Sequence, residues 1–393
     1  MRASLLLGLT VLIQLGNVLA RPSSNAVWAA DSAIARKQGN GLDSNGNPSV
    51  SYEHGELWWG LRLLYERTGN QSYFDYILNS ASNIVADDGS IHSNYKVSDY
   101  SLDPVRTGPA FLYLFNKTSD SKWKKAADTY MTQLHSHPRT TQGQFWHKLI
   151  YPNQGWLDGI YMGDVFYSQY TNDFQKNNLT AWADITAQFQ LMFNNTLQNA
   201  TSPPHLLYHG YDHSFSTVWA SPDRGHSPEV WDRALGWYVM ALVDVLDIMP
   251  VSNPGHRVLL NILQTLAPRI RDAADANSGV WWLVITQPGR AGNYFESSGA
   301  AMFVYGLLKG IRRGYISDSD GSIVAAMKKA YSYFLKNFVV PNPNGTMDWT
   351  NTVSVGSLST TGDYNYYISQ TVDTNDLKGV GAFLLASVEF EQL

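Results

Sequence analysis

Residues 53–84 read Glu53-His54-Gly55-Glu56-Leu57-Trp58-Trp59-Gly60-Leu61-Arg62-Leu63-Leu64-Tyr65-Glu66-Arg67, then Thr68-Gly69-Asn70-Gln71-Ser72, then Tyr73-Phe74-Asp75-Tyr76-Ile77-Leu78-Asn79-Ser80-Ala81-Ser82-Asn83-Ile84. The first block is apolar, aromatic and glycine-containing nearly all round, which suits a helix in an inner layer. The last block is amphipathic, which suits an outer layer. The polar turn between them supplies residues that can cap the second helix. Similar turns follow at Lys117-Thr118-Ser119-Asp120-Ser121 and Thr171-Asn172-Asp173. Each closes a Gly- and aromatic-rich helix and opens an amphipathic one, a pattern recurring roughly every fifty to seventy residues.

Helix spacing of apolar residues continues at 109–115, 123–134, 157–170, 182–193, 230–248, 257–273, 298–312, 323–338 and 378–391, and strand-like alternation is scarce. With an early outer helix at 26–37 and a last inner helix at 378–391, the count is about six pairs, the number that closes such pairs into a ring. The fold expected is therefore all-α, an (α/α)6 barrel, in one domain over residues 21–393. The longer irregular stretches at 136–153, 202–228, 277–295 and 352–376 are expected to gather at the ends of inner helices, where a binding cleft forms.

A net charge of −5 with 16% charged residues offers no basic surface to track phosphates, which argues against nucleic acid as a partner. The 13 Trp and 23 Tyr can pack a core or stack on sugar faces. With no cysteine, thiol nucleophiles, disulfides and Cys-ligated metals are ruled out. Met1-Arg2, an apolar run over 5–19 and Val18-Leu19-Ala20 before Arg21-Pro22 read as a cleaved signal peptide over residues 1–20. No later run approaches the roughly 20 apolar residues of a membrane span. Sequons at Asn70, Asn116, Asn178, Asn194, Asn199 and Asn344 agree with a secreted, N-glycosylated protein. No obligate protein partner is evident.

The segment 144–163 places Phe145, Trp146, His147, Lys148, Tyr151, Trp156, Asp158, Tyr161 and Met162 together at a helix start. Asp158 there is either a helix cap or an acid. Trp156 and Tyr161 beside it can exclude water and keep a carboxyl protonated, as a proton donor needs. Asp103, in Asp99-Tyr100-Ser101-Leu102-Asp103-Pro104, precedes another inner helix and divides between the same two roles. In Glu229-Val230-Trp231-Asp232-Arg233-Ala234-Leu235-Gly236-Trp237, Arg233 either forks onto a carboxylate or hydroxyls between aromatic walls, or pairs with Asp232 or Glu229 on a solvated face. His209, Asp212 and His213 match no trusted metal spacing, and sugar hydrogen bonding or loop structure is the better reading. Gly-x-Ser-x-Gly, phosphate-loop and dinucleotide fingerprints are missing from the sequence. No metal or cofactor is implied.

Four places in order, Leu102-Asp103, His147 to Met162, Trp231-x-Arg233-x-x-Gly236-Trp237, and Tyr366-Tyr367-Ile368 with 375–383, give the whole mature chain a resemblance to the unsaturated rhamnogalacturonyl hydrolases, glycoside hydrolase family 105. The run Trp-Leu-Asp-Gly-Ile-Tyr-Met is the most specific of these. The resemblance implies an (α/α)6 barrel and a lyase-generated oligosaccharide substrate ending in a 4,5-unsaturated uronic acid. It implies that Asp158 protonates the vinyl ether at carbon 4, that water then adds at carbon 5, and that the hemiketal opens to expel the aglycone. Asp103 matches the second acid. Tyr52, His147, Lys148, Trp156, Met162, His209, Trp231, Arg233, Trp237 and Tyr366 match positions that line the substrate pocket. Weighed against this reading are an unsaturated glucuronyl hydrolase for other glycans, an ordinary inverting glycosidase, a sugar epimerase and a glycan-binding protein on the same toroid.

Overall fold

The computed structural model describes residues 23–199 and 204–393; the expected signal peptide and part of the 202–228 loop lie outside them. The helices are α1 Asn25–Ala35, α2 Tyr52–Thr68, α3 Gln71–Ser82, α4 Gly108–Thr118, α5 Ser121–Ser136, α6 Leu157–Gly159, α7 Val165–Phe174, α8 Leu179–Thr196, α9 Asp232–Ile248, α10 Pro254–Asp272, α11 Ser297–Arg312, α12 Ser322–Asn337, α13 Tyr364–Ile368 and α14 Leu377–Phe390. A π-helical turn, Ile160–Asp164, joins α6 to α7. Three short antiparallel pairs sit in the loops: β1 Gln154–Trp156 with β2 Gly210–Asp212, β3 Val339–Pro341 with β4 Met347–Trp349, and β5 Thr352–Val353 with β6 Val372–Asp373.

Contacts run α2 to α4, α4 to α7, α7 to α9, α9 to α11, α11 to α14 and α14 back to α2, a closed ring of six inner helices. Around it, α3, α5, α8, α10 and α12 each pack on the inner helix before them, and α1 packs on α14 from the far end of the chain. The expected (α/α)6 barrel is the fold observed. The two layers differ as their sequences do. α9, α11 and α14 are buried from the first residue to within one or two of the last. α10 buries Gly255 and His256 in its first turn and then the stripe Leu259, Ile262, Leu263, Leu266, Ala267 and Ile270, the spacing of one helix face.

The inner-to-outer turns are capped by polar residues, as the sequence predicts: Asn70 caps α3 and Asp120 caps α5 from within the quoted turns, and Asn178, beyond the Thr171–Asp173 turn, caps α8. Asp173 belongs to α7, which runs further than the periodicity indicated. Gly69 ends α2 with φ 69°, a left-handed conformation that glycine adopts without steric cost.

The ring is tight where α2 meets the segment Asp103–Thr107 that leads into α4. A Cβ on Gly55 would lie 2.3 Å from the Arg106 carbonyl oxygen and 2.7 Å from its carbon. Both are backbone atoms that cannot swing aside. Gly55→Ala is expected to lower the unfolding free energy by about 2 kcal/mol through overpacking. Urea unfolding with an unchanged m-value checks this; wild-type stability in the variant would show that the contact yields freely.

Candidate active site

Each long loop returns to the start of an inner helix and is sewn to its neighbour through the backbone. Leu102 N–H donates to the His147 carbonyl at 3.1 Å, His147 to Gln154 at 2.8 Å, Leu157 to His209 at 3.0 Å and His209 to Glu229 at 3.2 Å. Asp232 N–H continues the belt to Leu283 at 3.1 Å, and Ser297 N–H reaches Asn351 at 3.0 Å. This belt brings the loops to one end of the barrel. Tyr52 at the start of α2 feels the charges of Asp103, Arg233 and Asp376, which lie at the starts of three other inner segments. The inner N-termini therefore share one rim.

Asp158, in α6, makes no bond to a helix N–H. Its Oδ2 lies 3.0 Å from Nε2 of His209, and its side chain keeps 13% exposure. The capping reading thus fails on geometry. The wall beside it is aromatic: Trp156 stacks on His147 at 4.5 Å and on Tyr151 at 4.7 Å, and meets His209 edge-on at 5.3 Å. Tyr161, expected to help shield Asp158, is instead turned to the barrel axis. There its hydroxyl takes a 2.6 Å bond from Arg106, and its ring stacks on Trp237 at 4.9 Å. The guanidinium holds it, and His209 occupies the position expected of it. The chain passes this closely because Gly159 carries no side chain: a Cβ there would lie 3.0 Å from Leu102 Cδ1 and 3.3 Å from His147 Nδ1.

Asp103 caps nothing either. Lys148 Nζ stands 2.5 Å from its Oδ2 and His147 Nε2 3.5 Å from its Oδ1. Burial works against the charge of Lys148, but the Asp103 carboxylate raises its pKa above the ordinary lysine value. Burial pushes His147 well below the usual histidine value, with the Lys148 charge acting in the same sense and Asp158 opposing. His147 is therefore a neutral ring between the two carboxyls.

Arg233 is fully buried and pairs with neither Asp232 nor Glu229. Nε donates to Ser298 Oγ at 2.7 Å, and Nη2 bonds the Val353 carbonyl and lies 3.5 Å from Glu296 Oε1. Nη1 makes no hydrogen bond among the described residues. The guanidinium also lies 5.2 Å from the Trp231 ring. Burial, then the neighbouring Glu296, pushes Asp232 well above the usual carboxyl range, leaving Glu296 as the counter-charge to Arg233. Trp231 packs on His209 at 4.9 Å. Met162 and Trp237 lie in the core beneath the site, with Tyr52 edge-on to Trp237 at 6.2 Å. Tyr366 is half-buried at the rim, and its ring meets Tyr367 at 5.2 Å. Asp212 and His213 go elsewhere. Asp212 accepts from Ser214, Ser216 and Thr217 in its own turn, and His213 Nε2 lies 2.6 Å from Thr141 Oγ1.

Sequence reasoning missed Tyr367, whose hydroxyl lies 2.7 Å from His209 Nδ1. Tyr366 and Tyr367 are adjacent on a five-residue helix, and only the turn of α13 decides which faces inward. Glu296 was missed for want of any signal, since its partner Arg233 is 63 residues away. Tyr151 lay inside the quoted aromatic segment and could have been found there.

The family model described as Glycosyl Hydrolase Family 88 matches residues 26–393. A solved glycoside hydrolase from family 105 of C. acetobutylicum is 36% identical, with a TM-score of 0.87, over 94% of this chain and 100% of that one. Protein Atu3128 of Agrobacterium fabrum is 35% identical over 47% of this chain and 81% of its own length. The unsaturated rhamnogalacturonyl hydrolase YesR of Bacillus subtilis is 22% identical over 70% of this chain and 75% of its own.

The loop entering the site is pinned by His137, whose Nε2 donates to the Trp146 carbonyl at 2.8 Å. Burial lowers this histidine to about 4. Unfolded, it titrates near 6.5, so between those values the unfolded chain binds more protons. Its contribution is full above pH 6.5 and is lost as pH falls toward 4, by on the order of 3 kcal/mol. Unfolding free energies at pH 7.5 and 4.5 are expected to converge in His137→Gln relative to wild type, while the loss at His147 persists. An unchanged pH slope in the variant would assign the loss elsewhere.

Proposed function

The chain belongs to Glycosyl Hydrolase Family 88 and stands with the glycoside hydrolases of family 105, and from that membership we propose that it removes a 4,5-unsaturated uronic acid from rhamnogalacturonan-type fragments left by pectin lyases. It is a hydrolase of the unsaturated glycuronyl type. The observation that carries the finer reading is Asp158. One carboxyl oxygen is engaged by His209, the other has no partner among the described residues, and an aromatic wall stands beside it.

Asp158 donates its proton to carbon 4 of the vinyl ether. The resulting cation at carbon 5 is stabilised by the ring oxygen, and water attacks it. The proton lost by that water returns to the carboxylate. The hemiketal then opens and releases the aglycone as an alcohol, so one water is consumed and one glycosidic bond broken. Asp103, oriented by Lys148, accepts hydrogen bonds from sugar hydroxyls or from the attacking water. The free Nη1 of Arg233 addresses the substrate from the far wall, and Tyr52, His147, Trp156 and Tyr366 supply faces and edges for the sugar rings. A neutral aglycone such as rhamnose is favoured over a sulfated one because Lys148, Lys378 and Arg233 each already face a carboxylate.

Secretion belongs to the same proposal. It is supported by the character of residues 1–20 and by the exposure of all six sequon asparagines. Asn70, Asn116 and Asn178 lie at inner-to-outer turns, at the end of the barrel opposite the rim, where glycans leave substrate entry free.

Incubation with lyase-generated unsaturated disaccharides of several linkages tests the function. Ultraviolet absorbance of the conjugated double bond should fall fastest on the rhamnose-linked one. In heavy water, deuterium should appear at carbon 4 of the product. Cleavage of saturated glycosides with no loss of that absorbance would overturn the mechanism. Asp158→Asn should lower kcat by about a thousandfold or more with folding intact.

A further inference from the structure

His209 bridges two side chains from opposite parts of the chain. Nε2 lies 3.0 Å from Asp158 Oδ2, and Nδ1 lies 2.7 Å from the Tyr367 hydroxyl. Tyr367 is 1% exposed, and among the described residues that bond is the only one its hydroxyl makes. We propose that Tyr367 is a positioning residue that donates to Nδ1, holds His209 as the Nε2–H tautomer, and thereby directs the acid proton of Asp158 onto Oδ1, the oxygen that His209 does not engage. The inference rests on the reading of Asp158 as the proton donor.

Hydrogen-bond accounting decides the direction. If Nδ1 carried the hydrogen and the tyrosine accepted it, the phenol hydrogen would be buried with no acceptor, a cost comparable to a lost hydrogen bond. The reverse arrangement leaves no donor unmet. Burial, and next to it the Asp158 charge, pushes the phenol well above its ordinary value, so it keeps the hydrogen it must donate. Nε2–H then points at Oδ2, and because the carbonyl oxygen of a carboxylic acid accepts more strongly than its hydroxyl oxygen, this donor favours Oδ2 as the carbonyl. The proton is left to Oδ1. When it passes to carbon 4, Oδ2 keeps its donor, and the new carboxylate is stabilised with no rearrangement.

The ring is held to this task by its walls. Trp231 stacks on Tyr367 at 5.8 Å with an interplanar angle of 27° and packs on His209 at 4.9 Å, and Trp156 closes the other side edge-on. The charged or titratable groups acting on the assembly are Asp158, His147, Tyr366, Glu229 and Asp363.

Nitrogen-15 spectra of histidine-labelled enzyme, with His209→Gln for assignment, are expected to show His209 with a bare Nδ1 and a protonated Nε2. In Tyr367→Phe the two forms should mix, and kcat should fall about tenfold with KM little changed, the size of one lost orienting hydrogen bond. His209→Gln keeps an amide donor for Asp158 and has no tautomers. Adding Tyr367→Phe to it should therefore cost clearly less than it costs the wild type. A protonated Nδ1 in the wild type, or an equal cost in both backgrounds, overturns the proposal. If Tyr367→Phe fails to fold, the wild-type spectrum alone decides. A fully active Asp158→Asn enzyme overturns the acid role, whereas a protonated Nδ1 alongside an inactive Asp158→Asn overturns only the tautomer lock.

Discussion

The direction of the inner helices is the constraint on which the rest depends. Because an outer helix carries the chain back between each inner helix and the next, all six inner helices run the same way, and their N-termini meet at one rim. The positive end of each helix, equivalent to about half a charge, favours an acidic side chain there. Each of the six segments has one: Glu53, Asp103, Asp158, Asp232, Glu296 and Asp376. So many carboxyls in one place would repel one another without interleaved cations. Lys378 bridges Glu53 and Asp376, Lys148 meets Asp103, and Arg233 faces Glu296. Asp103 and Asp158 keep 20% and 13% of their side chains exposed beside different neighbours, Lys148 and His209, the condition under which paired carboxyls take different roles.

Beneath the rim, the scaffold keeps its charges balanced in the dry core. A buried guanidinium is tolerated only with good partners, and Arg233 has a carboxylate, a hydroxyl and a carbonyl from α11 and β5. The adjacent Asp232 is kept neutral by burial, so the pair carries one cation and one anion rather than an excess. Glu56, buried with both oxygens unpartnered, is likewise driven toward its neutral form by burial. At the opposite end of the barrel, Lys309 sits between Asp244 and Asp247 at 2.6 and 3.0 Å. These contacts join helices far apart in the chain and stiffen the frame that carries the site, as a preorganised site requires.

The fold was legible because it is written in a period. Trp58 and Trp59 beside Gly55 and Gly60, against the polar Thr68–Ser72 turn, tell an inner helix from an outer one without any knowledge of the partner. The site was legible where chemistry and aromatic density coincide on one segment, at His147, Lys148, Trp156 and Asp158. It was illegible where a residue acts through a contact made far along the chain. Glu296 reads as a polar residue before a small-residue helix, and Tyr367 as the twin of Tyr366. Tyr161 was misjudged for the complementary reason: its neighbour in sequence is Asp158, but Arg106 is its neighbour in space, and the spatial contact set its rotamer.

The capping question that the sequence left open at Asp103 and Asp158, and that arises again at Asp232, resolves through the backbone. Ser51, Glu296 and Asp376 cap α2, α11 and α14 with their side chains, but the starts of the Asp103, α6 and α9 segments have no such cap. A missing side-chain cap costs about 1 kcal/mol. At two of the three, a neighbouring loop carbonyl takes over: His209 accepts from Leu157 N–H, and Leu283 accepts from Asp232 N–H. Moving the capping task from side chain to loop backbone is what releases Asp158 for His209. It also explains why the loops that shape the mouth are tied so closely to the helix starts. The same carbonyl that caps α6 belongs to His209, so the residue that orients the proposed acid is also the one that lets the acid's helix begin without using the acid as its cap.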